Sequence, residues 1–521
     1  MNTEKKILWV DDEINLLVPH IQYLKDRGYE VDTSTNGNDA VELVQQKNYG
    51  LILLDEMMPG KDGLATLTEI KALRPYLPVV MVTKNEEESL MEEAIGSMIA
   101  DYLTKPVNPS QILLVCKKFF EKKKLEETQI SKEYIQEFNY ISQQLMSPME
   151  LNEWFDLYKK LTIWQMQLDD YPQLGIQEML ADQYKECNSA FSKFIEQNYT
   201  SWINEKEKNK RPTLSHDIVE KYVVPHLEKQ KAIFFIVVDC MRLDQWLVME
   251  RELHNLFSIK TDNYLSILPT ATPYSRNAIF SSLLPNDIAK IYPEYWQGDE
   301  ANESSYNKYE KELLQKYFER KRISINPELK YFKIYDTDVG WQLQKTISSY
   351  VTNKLTCIVV NFVDMLAHHR SDNMLLKEIA PDEAGYRSLT SSWFKHSSLF
   401  GMLQTLSQNK NITIVLTTDH GSIRCMRGTK VIGDRDSSTN LRYKFGRNLK
   451  CELKHAILLK NPQSYQLPQS SVTENFITAK EDYYFVYPTE YHKYLNQYRD
   501  SFQHGGISME EMLLPVITLN T

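Results

Sequence analysis

Residues 51–60 read Leu51-Ile52-Leu53-Leu54-Asp55-Glu56-Met57-Met58-Pro59-Gly60. Four apolar side chains in a row, closed by a carboxylate and then a Pro-Gly turn, predict a short, fully buried strand. Working outward, the same unit recurs on both sides. Ile7–Val10 precedes Asp11-Asp12-Glu13, Glu30–Ser34 and Val79–Thr83 follow in order, and Asp101–Leu103 precedes Lys105. Between them, Ile14 to Arg27 and Asn38 to Gln46 have helical spacing. Strands alternating with helices predict βαβ units and a parallel, doubly wound sheet over residues 1–118. Sites in such sheets form at the carboxyl ends of the strands. Asp11, Asp12 and Asp55 should therefore converge there, with Thr83 and Lys105 beside them. Clustered carboxylates favour a hard cation such as Mg²⁺. A carboxylate next to that cation, with an ammonium and a hydroxyl nearby, can accept a phosphoryl group.

The pattern of a strand followed by a ligand-type residue returns after residue 231. Ile233–Val238 precedes Asp239, and Cys357–Phe362 precedes Asp364, with His368 four residues on. Ile412–Thr417 precedes Asp419-His420-Gly421, and His504-Gly505-Gly506 precedes the apolar run Leu514–Leu519. Ala456–Leu459 and Tyr483–Val486 complete a second α/β domain, while 286–350 and 422–450 look like excursions from its sheet. Residues i and i+4 share a helix face, so Asp364 and His368 can grip one ion. Aspartates with histidines suit zinc or manganese in a site with open positions. Between these ligands, Leu268 to Arg276 leads into a helix that starts at Thr272, where free amides favour an anion. Threonine also caps helices well, but six candidate ligands at other strand ends favour a nucleophile. Arg276 has two open roles: binding a phosphate oxygen, or pairing with an acid of the fold.

From about 119 to 230 the strand signals vanish. Trp154, Phe155, Tyr158 and Leu161 form one helical stripe, and Phe191, Phe194 and Ile195 form another. The spacing predicts a bundle of three or four helices. Ser147 to Glu150 reads as a capping box with Pro148 at the first helical position.

The whole chain has 521 residues, 42% of them hydrophobic, and a formal net charge of −10. That length predicts about three to four domains, placed at 1–118, 119–230 and 231–521. The negative balance argues against a dedicated nucleic-acid binder. No apolar run approaches the roughly 18 residues of a membrane span, and Ile7–Val10 is too short for a signal peptide. Six cysteines without a CxxC pair read as reduced packing residues. A soluble, cytoplasmic protein is expected.

Residues 1–118 resemble the receiver domains of bacterial response regulators, typified by CheY. The resemblance implies that Asp55 is the phosphoacceptor and that Asp11, Asp12, Asp55 and the backbone oxygen of Met57 hold Mg²⁺. It further implies Thr83 and Tyr102 as the switch pair and Lys105 as the site lysine. Lys84 departs from the small residue such domains often carry after the switch threonine. Residues 231–521, with the closing HGGISMEEMLLPVI, resemble the PglZ-type domains of the alkaline phosphatase superfamily. By that resemblance two Zn²⁺ ions are bound, one by Asp239, Thr272, Asp419 and His420 and one by Asp364, His368 and His504, while His369 points elsewhere. Thr272 would be the nucleophile; a threonine cannot supply formylglycine, which disfavours sulfatase chemistry. The order of receiver, bundle and PglZ-type domain resembles the PorX-type response regulators associated with type IX secretion. That implies a sensor histidine kinase, control of secretion gene expression, and phosphodiesterase activity on nucleotide or oligonucleotide substrates; a homodimer on phosphorylation is the expected readout of the receiver. Two rival expectations are a phosphorylation-controlled binding module that contacts a sigma factor, and a phosphomonoesterase.

Overall fold

The computed structural model of the chain describes residues 5–84, 99–229, 232–297, 306–434, 438, 440–469 and 471–521, with the side chains of 121–125, 173 and 371–372 outside that description. The chain divides into two units, Met1–Ile135 and Gln136–Thr521. The expected boundary at 118/119 falls within the helix Pro109–Gln144.

In the first unit the strands are β1 (Lys6–Val10), β2 (Glu30–Ser34), β3 (Leu51–Asp55), β4 (Val79–Thr83) and β5 (Asp101–Thr104). They pair in the order β2-β1-β3-β4-β5, all parallel. The apolar runs of β1, β3 and β4 are buried on both faces, as inner parallel strands require. Trp9, Leu53 and Val82 point into one core, and Leu8, Ile52 and Met81 into the other. Pairing of Val10 with Leu54 and of Asp55 with Val82 aligns the strand ends and brings Asp11 beside Asp55. The helical stretch expected from Ile14 divides into a 3-10 turn, Ile14–Leu17, and a helix, Val18–Lys25, with Pro19 in the first turn of the latter.

The second unit is built on a six-stranded sheet. Its strands are β6 (Ala232–Val238), β7 (Ser258–Leu265), β8 (Lys330–Ile334), β9 (Leu355–Val360), β10 (Ile412–Thr417) and β19 (Leu513–Asn520), in the order β7-β19-β10-β6-β9-β8. The four strands β10, β6, β9 and β8 run parallel, while β19 lies antiparallel between β10 and β7. Among the described residues, eight short strands between 423 and 503 form three smaller sheets: β11 (Ile423–Cys425) with β18 (Ser501–Gln503); β12 (Arg427–Ile432) with β14 (Lys450–Cys451) and β17 (Tyr483–Val486); and β13 (Tyr443–Gly446) with β16 (Asn475–Ala479) and β15 (Ala456–Leu459).

Several expectations need correction. Segment 286–350 is not wholly an excursion, because β8 within it joins the main sheet. The strand expected at Cys357–Phe362 is β9, which ends at Val360; a helix, Phe362–Asp372, begins two residues later, so Asp364 stands on its first turn. In the bundle, the helix expected to start at Pro148 starts at Leu151. Its capping partners are Glu150 and Glu153, whose carboxylate accepts from the Glu150 backbone N–H at 2.7 Å.

Among the described residues the bundle consists of the end of Pro109–Gln144, Leu151–Leu168 and Gln177–Asn204. Trp154 and Phe191 meet edge to face at 5.4 Å. The third of these helices is tied to the α/β part of its unit. The Asn188 amide donates to Glu510 at 3.0 Å, and Asn188 Oδ1 accepts from the Met509 N–H at 2.8 Å. The Leu268 N–H donates to the Tyr199 hydroxyl at 2.8 Å, so the bundle touches the loop that leads to Thr272. No helix among the described residues is long and apolar enough to cross a membrane.

Candidate metal and phosphoryl-transfer sites

The candidate ligands of the second unit lie just past strand ends or on helices that follow them, His368 on the second turn of the helix Phe362–Asp372. Asp239 directly follows β6, and its N–H bonds to the Val360 carbonyl at 2.9 Å. Asp419 and His420 lie two and three residues past β10, both fully buried. Their turn packs so closely on Glu510 that a Cβ at Gly421 would lie 1.9 Å from the Glu510 carbonyl oxygen. Asp364 and His368 share one face of the helix Phe362–Asp372, their Oδ1 and Nε2 3.4 Å apart. His504 Nε2 is 3.6 Å from the same carboxylate oxygen. His369 is exposed.

Two donor clusters result: Asp239 with Asp419 and His420, and Asp364 with His368 and His504, the ligand atoms within each lying no more than 4.8 Å apart. They adjoin, because the His420 and His504 rings stack at 4.3 Å. Thr272 opens the buried helix Thr272–Ser281, and its Oγ1 lies 3.0 Å from His420 Nε2. The His420 Nδ1 is 3.1 Å from the Gly421 carbonyl. If that nitrogen carries the proton, the Nε2 lone pair faces Thr272, the arrangement expected of a metal-ligating histidine.

The residues present fit divalent ions. Asp239 Oδ1 and Asp419 Oδ2 are buried and accept no hydrogen bond, a costly state unless a cation neutralises them. Burial pushes the Asp239 carboxyl up to about 7, with Asp419 and Asp364 adding to the push against the pull of Arg276. Burial also raises Asp419. It opposes the charge on Asp364 as well, but there His368 and His504 prevail and hold the carboxyl below its usual range. Burial lowers His420, which favours the neutral, ligating imidazole.

The Arg276 guanidinium pairs with acids of the fold. It is 2% exposed, with Nη1 2.6 Å from Asp239 Oδ2 and Nε 2.6 Å from Glu310 Oε1. Glu310, the start of the helix Glu310–Lys321, also meets Lys333 at 3.2 Å and the Tyr331 hydroxyl. No motif in the sequence marks Glu310, which lies in the stretch read as an excursion.

In the first unit, carboxylate oxygens of Asp11, Asp12 and Asp55 come within 4.8 Å of one another. Lys105 Nζ is 2.9 Å from Asp55 Oδ1 and 3.0 Å from Asp11 Oδ2. Burial raises the Asp55 carboxyl, and the charges of Asp11 and Asp12 add to this against the pull of Lys105. Met57 lies in the turn after β3. The Thr83 hydroxyl donates to Glu56 in a short hydrogen bond, a partner the sequence reading did not assign. Tyr102 is 49% exposed.

Comparison with known proteins identifies three families along the chain. The response regulator receiver domain model matches residues 7–117, the PorX response regulator linker domain model matches 124–203, and the BREX system PglZ alkaline phosphatase-like domain model matches 218–519. The transcriptional regulatory protein ResD of Bacillus subtilis (strain 168) is 36% identical over 111 residues, which are 21% of this chain and 46% of that protein. SrrA of Staphylococcus aureus (strain NCTC 8325 / PS 47) is 35% identical over 109 residues, 21% of this chain and 45% of that protein. The chain thus spans less than half the length of these relatives. Similar solved structures include the Francisella response regulator 1452 receiver domain (24% identity, TM-score 0.22, covering 23% of this chain and 98% of that one) and the receiver domain of NtrX from Brucella abortus (32% identity, TM-score 0.21, covering 22% and 98%). Because the PglZ model spans more than half of it, behind a receiver and a PorX linker domain, the chain belongs to the PglZ alkaline phosphatase-like family and is a PorX-type response regulator.

Proposed function

We propose that the chain is a zinc-dependent phosphodiesterase controlled by phosphorylation of Asp55, with Thr272 as its nucleophile. The observation that carries this reading is the Thr272 hydroxyl, at the start of a buried helix and 3.0 Å from a histidine of one of two adjoining donor clusters. Asp239, Thr272, Asp419 and His420 would hold one Zn²⁺, and Asp364, His368 and His504 the other. Bound there, such ions lower the pKa of a coordinated hydroxyl and balance charge on phosphoryl oxygens.

The chain's own residues do the rest. The positive end of the dipole of the helix Thr272–Ser281 favours the anionic phosphoryl group at Thr272. Arg276 and Glu310 fix the orientation of Asp239. In-line attack by Thr272 Oγ1 forms an O–P bond and expels one alcohol, which leaves with the proton. Water then cleaves that bond, restores the hydroxyl and releases a phosphomonoester.

In the receiver, Asp11, Asp12, Asp55 and the Met57 backbone oxygen would hold Mg²⁺ while a sensor histidine kinase phosphorylates Asp55. The new phosphoryl oxygens would compete with Glu56 for the Thr83 hydroxyl, and Tyr102 would move with it. A two-state element biased by local charge follows, with homodimerisation as its readout. By family resemblance the substrates are nucleotide or oligonucleotide diesters, and the output is control of type IX secretion from the cytoplasm.

The test is the rate of the zinc-loaded protein on bis-p-nitrophenyl phosphate against p-nitrophenyl phosphate. Preference for the diester is expected; a clear preference for the monoester would overturn the assignment.

A further inference from the structure

The bundle helix Gln177–Asn204 buries Asn188, Ser192, Ile195, Tyr199 and Ile203, at the spacing of one helical face. Phe191 and Phe194 meet Trp154 of the helix Leu151–Leu168 at 5.4 and 5.8 Å. Polar groups on a buried stripe cost free energy unless they are bonded, and here they bond the α/β part. Asn188 takes the Met509 N–H at 2.8 Å and holds the Glu510 carboxylate at 3.0 Å. The Ser192 hydroxyl donates to the Ile507 carbonyl at 3.4 Å, and the Tyr199 hydroxyl accepts from the Leu268 N–H at 2.8 Å.

The two loops so held are bonded to the ligand-bearing segments and to each other. The fully buried Thr270 hydroxyl accepts from the Gly505 N–H at 3.2 Å and donates to the Gly506 carbonyl at 2.7 Å, directly after His504. The Ser266 hydroxyl donates to the Asp419 carbonyl at 2.8 Å. The Glu510 carbonyl abuts Gly421, next to His420. The segment that carries Thr272 is therefore tied to both donor clusters, and one helix face holds it and the His504 loop together. Hydrogen bonds are directional, so they fix the register of that face where apolar contacts would let it slide.

We infer that Asn188 and Tyr199 are positioning residues through which the bundle helix places Thr272 and His504 jointly, with Thr270 as the clasp that makes their two loops move as one. The inference rests on the phosphodiesterase reading and deepens it, by assigning to the bundle the hold on that site. Displacing reacting groups by about 1 Å can cost roughly a hundredfold in rate.

The experiment is hydrogen exchange by mass spectrometry on the zinc-loaded full chain, paired with steady-state rates. Tyr199→Phe should raise exchange about two- to tenfold in 504–511, a loop its hydroxyl does not bond. Asn188→Ala should do the same in 266–272, and β6 should stay unchanged in both. On a Thr270→Val background neither remote effect should appear, whereas Thr270→Ser should preserve them. Tyr199→Phe should also lower kcat on bis-p-nitrophenyl phosphate between about tenfold and a hundredfold, with KM and bound zinc unchanged. Exchange raised only in the loop directly bonded, exchange raised equally in β6, or an unchanged kcat would overturn the inference. Failure of the diesterase reading would look different: no turnover by the parent chain, with the remote effects on exchange intact.

Discussion

Arg276 Nη1 lies 2.6 Å from Asp239 Oδ2, and the same guanidinium reaches Glu310 through Nε at 2.6 Å. One buried cation therefore connects a candidate zinc ligand to an acid that the metal would not touch. Removing one partner of such a cluster leaves uncompensated charge inside the protein, at a cost of about 3–5 kcal/mol. Arg276→Met should destabilise the metal-free protein by that order in urea denaturation, and zinc should recover part of the loss by neutralising Asp239. A variant as stable as the parent without metal would show that the pairing does not hold the site together.

Zinc stoichiometry separates the two clusters. The full chain should carry two zinc ions by mass spectrometry of the native protein. His504→Ala and Asp364→Ala should each reduce this to one, because Asp239, Asp419 and His420 form their own group. Loss of both ions, or of neither, would contradict two separable sites.

A pH effect is expected away from the metals. Lys444 is 1% exposed, donates to the Ser438 carbonyl at 3.0 Å, and burial pushes its pKa down to about 7. Between that value and the unfolded lysine near about 10.4, the unfolded chain binds more protons than the folded one. Folding stability from this group therefore rises as pH rises through that window. Lys444→Met should flatten the slope of urea stability between pH 7 and 9; an unchanged slope would place the dependence elsewhere.

Asp55→Asn isolates control from chemistry. With the parent chain, beryllofluoride and Mg²⁺ should shift the sedimentation profile toward a dimer and change the rate on bis-p-nitrophenyl phosphate. Neither change should occur with Asp55→Asn, because the acceptor carboxylate beside Lys105 is gone. A variant that still dimerises with beryllofluoride would remove Asp55 from the mechanism.

Much of this site is legible in the sequence because strand ends are. A run such as Ile233–Val238 between turn signals reads as a buried strand, and a polar residue just past its end lies at the carboxyl edge of the sheet. Asp11, Asp55, Asp239 and Asp419 are all found this way. The register of a parallel sheet then brings residues far apart in sequence into one cluster.

Where the local pattern is weak, the reading fails. β7 reads Ser-Ile-Lys-Thr-Asp-Asn-Tyr-Leu, with polar side chains on an edge strand, and leaves no apolar signal. β8 is only half-buried and was hidden among charged neighbours. Glu310 and Glu56 escaped for another reason. Each matters through a contact made in three dimensions, with Arg276 and with Thr83 respectively, and neither spacing nor composition encodes such a pairing.

The most direct test of the central claim is steady-state hydrolysis of bis-p-nitrophenyl phosphate by the zinc-loaded chain and its Thr272→Ala variant, with bound zinc measured in both. Loss of a nucleophile typically costs on the order of a thousandfold or more in kcat, so turnover should fall to background while metal remains bound. Undiminished turnover by Thr272→Ala would contradict a threonine nucleophile, and with it the mechanism built on this site.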